Sequence, residues 1–254
     1  AVPVDVEIDD VERKNLIPAD LTAEEPVLSE AASKNLLAAY GIPVIRPEDA
    51  HTEDAAVALA AKIGYPVVLK VLSPQITHKT DVGGVALNLQ TEPEVRAAFD
   101  RIVKSAKAKR PDADVLGVTV QKMVDTRNGT ELIVGAKCDP VFGAILLVGM
   151  GGVTAELYAD RALGLPPLNE RLARRMVESL KSYPLLRGYR GRPLANLDKL
   201  MKVLMRFSYL VADHPEISEL DINPLLVGPK DVIALDARVV VDTATLGQPA
   251  PRKY

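Results

Sequence analysis

The sequence has only one cysteine, Cys138, among its 254 residues. A single cysteine excludes an internal disulfide and is typical of a reducing compartment. Long apolar runs are absent as well, because the longest uncharged apolar stretch, residues 141–154, is broken by four glycines and falls short of membrane-spanning length. Residues 1–20 are acidic and lack the basic and apolar regions of a signal peptide. We therefore expect a cytoplasmic protein that is not embedded in a membrane.

An excess of positive charge is also missing, since the formal net charge is −3. This balance argues against nucleic acid as the main partner. Hydrophobic residues make up 48% and charged residues 26%, an ordinary globular composition with enough apolar side chains for a large core. Residues 1–25 are rich in Asp, Glu and Pro, and residues 247–254 are rich in Pro. We interpret both segments as linkers to further domains of a longer polypeptide.

Local patterns predict an alternation of helices and strands. Thr91 and Glu94 have the spacing of a capping box, Asn128-Gly129 predicts a hairpin between the strands on either side of it, and residues 149–152 predict a flexible turn. Cys138 is interpreted as core filler. Helices are expected at 29–40, 53–63, 92–109, 169–181 and 196–211, and strands at 66–72, 83–89, 115–124, 131–137, 142–148, 154–158, 217–227 and 232–240.

Lys70 lies inside the apolar strand 66–72. A buried ammonium is costly unless it meets an anion, for which a phosphate is the natural partner, but a lysine whose stem packs and whose head reaches water fits equally well. Shortly after it, residues 78–84 end in Gly83 and Gly84, whose backbone N–H groups could cradle phosphates. The same glycine pair also fits a β-bulge or the start of a hairpin.

A second group of polar residues lies near the C-terminal end of the chain. Residues 219–224 alternate polar and apolar side chains, so that Glu219, Asp221 and Asn223 project from one face of a strand. Asp236 lies on the following strand, and a hairpin would place it beside Asn223. Oxygen ligands few in number, completed by phosphates and water, suit Mg²⁺ with a nucleotide. A solvated strand face held by salt bridges carries comparable weight.

These segments together resemble the ATP-grasp domains of NDP-forming acyl-CoA synthetases, of the ADP-forming acetyl-CoA synthetase β-subunit type, and more distantly succinyl-CoA synthetase β subunits. The resemblance covers roughly residues 26–243 and rests on an ordered set of motifs: 63–70, the loop through Gly84, 120–124, 130–135, 149–152, and 219–224 with Asp236. It implies an α+β protein with the ATP-grasp fold, in which two α/β lobes grip a nucleotide. The first lobe would lie within residues 26–125 and the second within 126–246.

The resemblance also implies roles for individual residues. Lys70 would contact phosphates of ATP or ADP, the loop at Gly83 and Gly84 would close over them, and Glu131 would bind the ribose. Asn223 and Asp236 would hold Mg²⁺. The backbone of Gln121, Lys122, Met123 and Val124 would hold adenine.

The catalytic residues implied by the resemblance are His78, Asp221 and Glu156. His78, in the sequence His-Lys-Thr-Asp, matches a second histidine that some ADP-forming acetyl-CoA synthetases phosphorylate, and Asp221 matches an acid that contacts the incoming phosphohistidine. Glu156 would assist there. A solvent-facing loop residue also fits His78, and buried hydrogen-bonding acids fit Asp221 and Glu156.

The expected function is therefore a phosphoryl-transfer module of an ADP-forming acyl-CoA synthetase, which passes phosphate between a phosphohistidine and Mg·ADP. Its expected partners are CoA-binding and acyl-CoA-forming domains, fused or in a separate subunit. The alternative is a regulatory nucleotide-binding module fused to an acetyltransferase domain, without synthetase activity. Another ATP-grasp ligase, such as a biotin carboxylase, fits the motifs at 78–81 and 219–224 less well.

Overall fold

The computed structural model describes residues 16–18, 21–23, 26–76, 78–127, 129–151, 160–191 and 193–245. The chain divides into two compact units, a smaller one of residues Ile45–Val124 and a larger one of the described residues up to Val44 and from Asp125 onward. The smaller unit therefore interrupts the larger one in sequence. None of the described helices is long and apolar enough to cross a membrane.

The smaller unit is a four-stranded antiparallel sheet with two helices. Its elements are β1 (Glu48–Ala50), α2 (Glu53–Ile63), β2 (Val67–Leu72), β3 (Val85–Leu89), α3 (Glu92–Lys109) and β4 (Gly117–Lys122), and its strand order is β1-β4-β2-β3. The Thr52 side chain accepts a hydrogen bond from Ala55 N at the start of α2, and Gly64, with φ of 83°, follows its end. These are the start and stop signals visible in the sequence.

The predicted capping box of α3 is wrong in part. The Thr91 side chain makes no capping hydrogen bond, and the Glu94 carboxylate accepts from Gln90 N at 2.6 Å. Glu94 therefore satisfies a backbone donor one residue before the position that a capping box requires.

The larger unit is a six-stranded antiparallel sheet with helices. It contains α1 (Glu30–Ala39), β5 (Thr130–Asp139), β6 (Gly143–Met150), β7 (Arg161–Gly164), α4 (Glu170–Glu178), α5 (Tyr183–Leu186), a 3₁₀ turn (Tyr189–Gly191), α6 (Leu197–Asp213), β8 (Ile217–Val227), β9 (Val232–Ala234) and β10 (Ala237–Val241). The strand order is β10-β8-β5-β6-β7, and β9 pairs with β8 beyond the end of β10. Buried side chains of α1, α4 and α6 form one core with Leu132, Val134, Leu220 and Ile222. Helices thus pack against one face of this sheet.

The predicted hairpin around Asn128-Gly129 is wrong. β4 pairs with β1 and β2 in the smaller sheet, whereas β5 pairs with β6 and β8 in the larger one. Both edges of β4 are already occupied by other strands, so the turn signal marks a crossing between sheets. Asn128 itself lies outside the described residues.

The predicted turn at residues 149–152 is also wrong at its start. Gly149 and Met150 continue β6 and pair with Ile133 and Leu132. A Cβ on Gly149 would lie 2.9 Å from Asp160 O, so this glycine permits the close approach of a neighbouring segment. Gly152 and the predicted strand 154–158 lie outside the described residues.

Two segments that precede the smaller unit contact the larger one. Residues 26–44 pack with the larger unit. Ile17 is buried in the core of the larger unit.

Candidate functional site

The larger sheet has an open face, which is the face opposite the helices of its own unit. On β8, Leu220 and Ile222 are buried in the core, while Glu219, Asp221 and Asn223 between them are half-buried or exposed. The predicted common face of these three polar residues is confirmed. On β5 the same alternation places Glu131, Gly135 and Lys137 opposite the buried Leu132, Val134 and Ala136.

Asn223 and Asp236 lie next to each other, as the sequence predicted for a paired arrangement. Asn223 N donates to Asp236 O at 3.3 Å, and Leu235 N donates to Pro224 O at 3.0 Å. One carboxylate oxygen of Asp236 accepts from Ala237 N at 2.9 Å, which fixes the side chain. Asn223 is exposed and Asp236 half-buried.

This donor set fits Mg²⁺ held jointly with a nucleotide. One amide and one carboxylate supply hard oxygen ligands, and phosphates and water would complete the octahedron. Within the described ranges no cluster of three or more His, Cys, Asp and Glu side chains could hold a metal by itself. The amide of Asn223 and the carboxylate of Asp236 therefore fit an ion that shares its ligands with a nucleotide.

Asp221 occupies a position on the open face between Gly135 of β5 and Arg238 of β10, its cross-strand partners. A Cβ at position 135 would lie 2.8 Å from Asp221 Oδ1, so only glycine leaves room for this carboxylate. Burial raises the pKa of the Asp221 carboxyl, and the charge of Glu219 adds to the rise, while Arg238 and Lys137 oppose it. Asp221 also lines a cavity of about 300 Å³ together with Ile145, Leu147, Leu163, Gly135, Ala136, Lys137, Cys138, Asp139 and Pro140.

Glu219 pairs with both cations on this part of the face. Lys137 Nζ lies 2.9 Å from Glu219 Oε1, and Arg238 Nη1 lies 3.6 Å from Glu219 Oε2. The hydrogen bond from Lys137 lowers the pKa of the Glu219 carboxyl and raises that of the lysine. Across the described part of the chain, Asp221 has no ion pair with either cation.

Three other residues interpreted from the sequence remain, namely Glu131, Glu156 and Cys138. Glu131 is half-buried on the open face, and its carbonyl accepts from Gly151 N at 2.8 Å. Glu156 lies outside the described residues. Cys138, interpreted as core filler, is exposed, so that interpretation is wrong.

In the smaller unit, Lys70 is half-buried on β2, on the face opposite the core residues Val67, Leu69 and Val71. Its cross-strand partners are Val85 and Thr119. The Thr119 hydroxyl is buried and has no hydrogen-bond partner among the residues described. A polar pair of lysine and threonine therefore lies on this face.

The glycine turn, residues 78–84, uses its own backbone groups. Gly83 N donates to Thr80 O at 3.0 Å, Gly84 N to Lys79 O at 2.8 Å, and Asp81 N to His78 O at 3.2 Å. Gly83 has φ of 68°, and a Cβ on Gly84 would lie 2.6 Å from Val71 Cγ1. The geometry of the turn is thus sufficient reason for a glycine at both positions. Because the N–H groups of Gly83 and Gly84 already donate within the turn, they can contact phosphate only if the turn opens. His78 is exposed.

The predicted adenine segment closes the end of β4. Gln121 is buried and pairs with Val68, and Met123 N donates to Pro66 O at 3.0 Å. Lys122 Nζ donates to the carbonyl oxygens of Gly64 and Tyr65, at 2.5 and 2.9 Å. Val124 is half-buried. The side chain of Lys122 therefore fastens this segment to the end of α2.

The sequence reasoning missed Gly135, Lys137 and Arg238 as neighbours of Asp221. Each lies on a strand paired with β8, and β5 is far from β8 in sequence. The alternation of β5 could have indicated which side chains share a face. It could not have indicated which strand lies beside it.

Comparison with known proteins places this geometry in a family. Residues 20–241 match the ATP-grasp domain family. The β subunit of acetate–CoA ligase [ADP-forming] I from Pyrococcus furiosus is 39% identical over 219 residues, which cover 86% of this chain and 94% of that subunit. Acetate–CoA ligase [ADP-forming] I from Archaeoglobus fulgidus is 45% identical over 206 residues, which cover 81% of this chain but 30% of that longer protein.

A solved structure gives the same result. It is the dinucleotide forming acetyl-coenzyme A synthetase 1 of Ca. Korarchaeum cryptofilum in complex with coenzyme A and Mg-AMPPCP, with its phosphohistidine segment pointing towards the nucleotide binding site. The TM-score is 0.75 at 36% identity, over 86% of this chain and 94% of that one. The fold of this chain is the ATP-grasp fold, and the chain belongs to the ATP-grasp domain family together with the β subunits of ADP-forming acetate–CoA ligases.

Proposed function

We propose that this chain is the nucleotide-binding, phosphoryl-transfer part of an ADP-forming acyl-CoA synthetase. The observation that carries the proposal is the open face of the larger sheet, on which Asn223 lies beside Asp236 while Asp221, next to Gly135, makes no ion pair with any residue that the structure describes. Its relatives named as ADP-forming ligases support the same reaction class.

The transferred group is the phosphoryl group of a nucleoside triphosphate. In the direction that consumes ATP, the P–O bond to the β-phosphate breaks as a P–N bond to an imidazole nitrogen forms, and ADP leaves. Protein groups contribute chiefly by positioning and by offsetting negative charge. Mg²⁺, when bound, neutralises charge on the phosphates and fixes their orientation.

Roles in the larger unit follow from the open face. Asn223 and Asp236 would hold Mg²⁺ and Glu131 would accept hydrogen bonds from ribose hydroxyls. Asp221 would accept a hydrogen bond from the N–H of the histidine that donates or receives phosphate, because the neighbouring Lys137 and Arg238 pair with Glu219. Glu156 is proposed to assist there on the resemblance alone.

Roles in the smaller unit are proposed on chemistry that the turn and strand allow. Lys70 would contact phosphate oxygens, since it lies on the face of β2 away from the core. The segment from Gln121 to Val124 would contact adenine. Gly83 and Gly84 would contact phosphate after the turn opens, and exposed His78 would act as a second phosphohistidine.

The partners we propose are the CoA-binding and acyl-CoA-forming domains. The chain spans nearly all of the Pyrococcus furiosus β subunit but only about a third of single-chain relatives. Such domains would therefore be either a second subunit or other parts of the same polypeptide. The comparisons give no support to the regulatory alternative with a fused acetyltransferase domain.

Isothermal titration of Mg·ATP and Mg·ADP into the purified chain tests the proposal. We expect binding in the micromolar range, weakened at least about tenfold in both Lys70→Ala and Asp236→Ala, because each removes a charge that faces the phosphates or the ion.

The matched controls are Lys104→Ala in the smaller unit and Asp231→Ala in the larger one. Each removes an exposed partner of a surface ion pair, with Asp100 and Lys199 respectively, and should leave nucleotide affinity unchanged. A folded wild-type chain that binds neither nucleotide would overturn the proposal.

A further inference from the structure

Arg238 forms an ion pair that the pairing of strands β8 and β10 does not predict. Arg238 is the direct cross-strand partner of Asp221, whereas Glu219 is paired across the strands with Lys137 and Val240. Opposite charges that face each other on adjacent strands attract. Lys137 pairs with its own cross-strand partner, since its Nζ lies 2.9 Å from Glu219 Oε1. Arg238 nevertheless pairs with Glu219, at 3.6 Å, and not with its direct partner Asp221. Glu219 thus competes with Asp221 for Arg238 and also binds Lys137.

Among the described residues that line the cavity beside Asp221, Lys137 is the only cation. β6 and β7 contribute the apolar Ile145, Leu147 and Leu163 to the adjoining cavity. β5 contributes Lys137, Cys138 and Asp139. With Lys137 and Arg238 bound to Glu219, the lining contains no further positive charge that could pair with Asp221.

We propose that Glu219 is a positioning residue, which holds Lys137 and Arg238 away from Asp221 so that the Asp221 carboxylate stays open to the imidazole N–H of the phosphohistidine-bearing partner. The inference rests on the function proposed above. A bidentate or charge-assisted bond from Arg238 to Asp221 would be stronger than a hydrogen bond from a neutral imidazole N–H, so the partner's histidine would lose the competition if the guanidinium were released.

Loss of Glu219 has different expected consequences if the residue stabilises the sheet and if it positions the two cations. If the residue served only to stabilise the sheet, its removal and the further removal of the two cations would each weaken the protein. If it holds the cations away from Asp221, removing the cations restores an unpaired Asp221 and with it the transfer reaction.

The experiment measures phosphoryl transfer from [γ-³²P]ATP with Mg²⁺ to the histidine of the partner domain, in the assembled enzyme, together with Mg·ATP affinity by titration calorimetry. We expect Glu219→Gln to slow transfer at least about tenfold while changing the Kd for Mg·ATP less than about twofold, since Asp221 contacts the histidine and not the nucleotide. The triple variant Glu219→Gln, Lys137→Gln, Arg238→Gln should recover to within about threefold of the wild-type rate.

Glu170→Gln is the matched control, because it breaks another glutamate ion pair of the same unit, with Arg174 at 3.0 Å on α4. It should transfer phosphate at the wild-type rate. A Glu219→Gln variant that is as fast as wild type, or a triple variant no faster than Glu219→Gln, would overturn the inference. A wild-type enzyme that binds Mg·ATP but labels no histidine would overturn the proposed function, and the inference with it.

Discussion

The glycine turn of the smaller unit and the open face of the larger unit use their polar groups differently. In the turn, the N–H groups of Asp81, Gly83 and Gly84 all donate to carbonyl oxygens of the same turn. On the open face, Gly135 leaves space in front of Asp221, whose carboxylate has no ion pair in the part of the chain that the structure describes. In the turn, glycine therefore allows the backbone to bond to itself. On the open face, glycine leaves room for the side chain of Asp221.

Because of this difference, we expect glycine substitutions in the two regions to have different effects, on stability in the turn and on phosphoryl transfer on the open face. Substitution in a closed turn should act mainly on the free energy of unfolding, because it disturbs contacts that the fold itself uses. Substitution on the open face should act mainly on transfer, because the Asp221 carboxylate that it displaces makes no ion pair with the residues that the structure describes. Comparable changes in the two regions can test this separation.

Gly84→Ala should have the largest effect on stability. Its Cβ would lie 2.6 Å from Val71 Cγ1 and 2.7 Å from Lys79 O, where the carbonyl is fixed by the bond that it accepts from Gly84 N. Relief requires backbone movement, so we expect a loss of about 1–3 kcal/mol in the free energy of unfolding. Urea unfolding followed by circular dichroism measures it.

The comparison for Gly84→Ala is Gly64→Ala in the same unit. Gly64 has φ of 83°, but its nearest contact to a built Cβ is the flexible end of Lys122 at 3.7 Å. Its backbone angles, φ of 83° with ψ of 131°, cost a residue other than glycine about 1–3 kcal/mol by themselves, so this variant reports backbone strain without a close contact. A Gly84 variant as stable as the wild type would contradict the assignment of Gly84 to a close contact.

Ser105→Ala should weaken the turn less. Ser105 Oγ donates to Val82 O at 2.6 Å, and Lys109 Nζ donates to Asp81 O at 2.9 Å, so two side chains of α3 bond to the turn. Loss of the Ser105 bond should cost about 1 kcal/mol, the usual net value of a hydrogen bond. Hydrogen exchange at the amides of Gly83 and Gly84 should become faster in the variant, and unchanged protection there would show that the turn closes without this bond.

The boundaries of the elements were largely predictable from local signals, whereas their pairing was not. Thr52 and Gly64 bound α2 as expected, and β8 alternates as its sequence indicated. The Asn128-Gly129 signal misled because a turn motif reports chain direction over a few residues and carries no information about which sheet the next strand joins. The ion pairs that join Lys137, Glu219 and Arg238 depend on such long-range strand pairing. The three residues are visible in the sequence, but their contacts could not be predicted from it.

Asp160 provides a test of acid stability within the larger unit. Its two carboxylate oxygens accept from Lys181 N at 2.8 Å and Ser182 N at 2.7 Å. Burial opposes the change, but these backbone donors keep the pKa of Asp160 below its ordinary value. A lowered pKa in the folded state stabilises the protein above the unfolded value of about 4, and the contribution disappears as pH falls through the folded pKa.

We therefore expect Asp160→Ala to lose about 1 kcal/mol at pH 7, comparable to the loss of a capping side chain, and to lose less as pH falls below about 4. Urea unfolding of wild type and variant between pH 7 and pH 3 measures the difference. A gap between the two that widens in acid would contradict the predicted sign. Asp160 thus contrasts with Asp221, whose pKa is raised by burial and by the charge of Glu219.

Gly135→Ala should have the smallest effect on stability and a large one on transfer. Its Cβ would lie 2.8 Å from Asp221 Oδ1, which can rotate away, and 3.7 Å from Leu220 O, an ordinary contact. The free energy of unfolding should change by about 0.5 kcal/mol or less. Transfer to the partner's histidine should fall about 10- to 100-fold, since a displacement near 1 Å at a reacting centre has effects of this size.

Gly228→Ala, whose Cβ would approach only Asp231 O at 3.3 Å, is the control and should transfer normally. If Gly135→Ala unfolds more easily yet transfers at the wild-type rate, the glycine serves the sheet and the two regions do not differ as described.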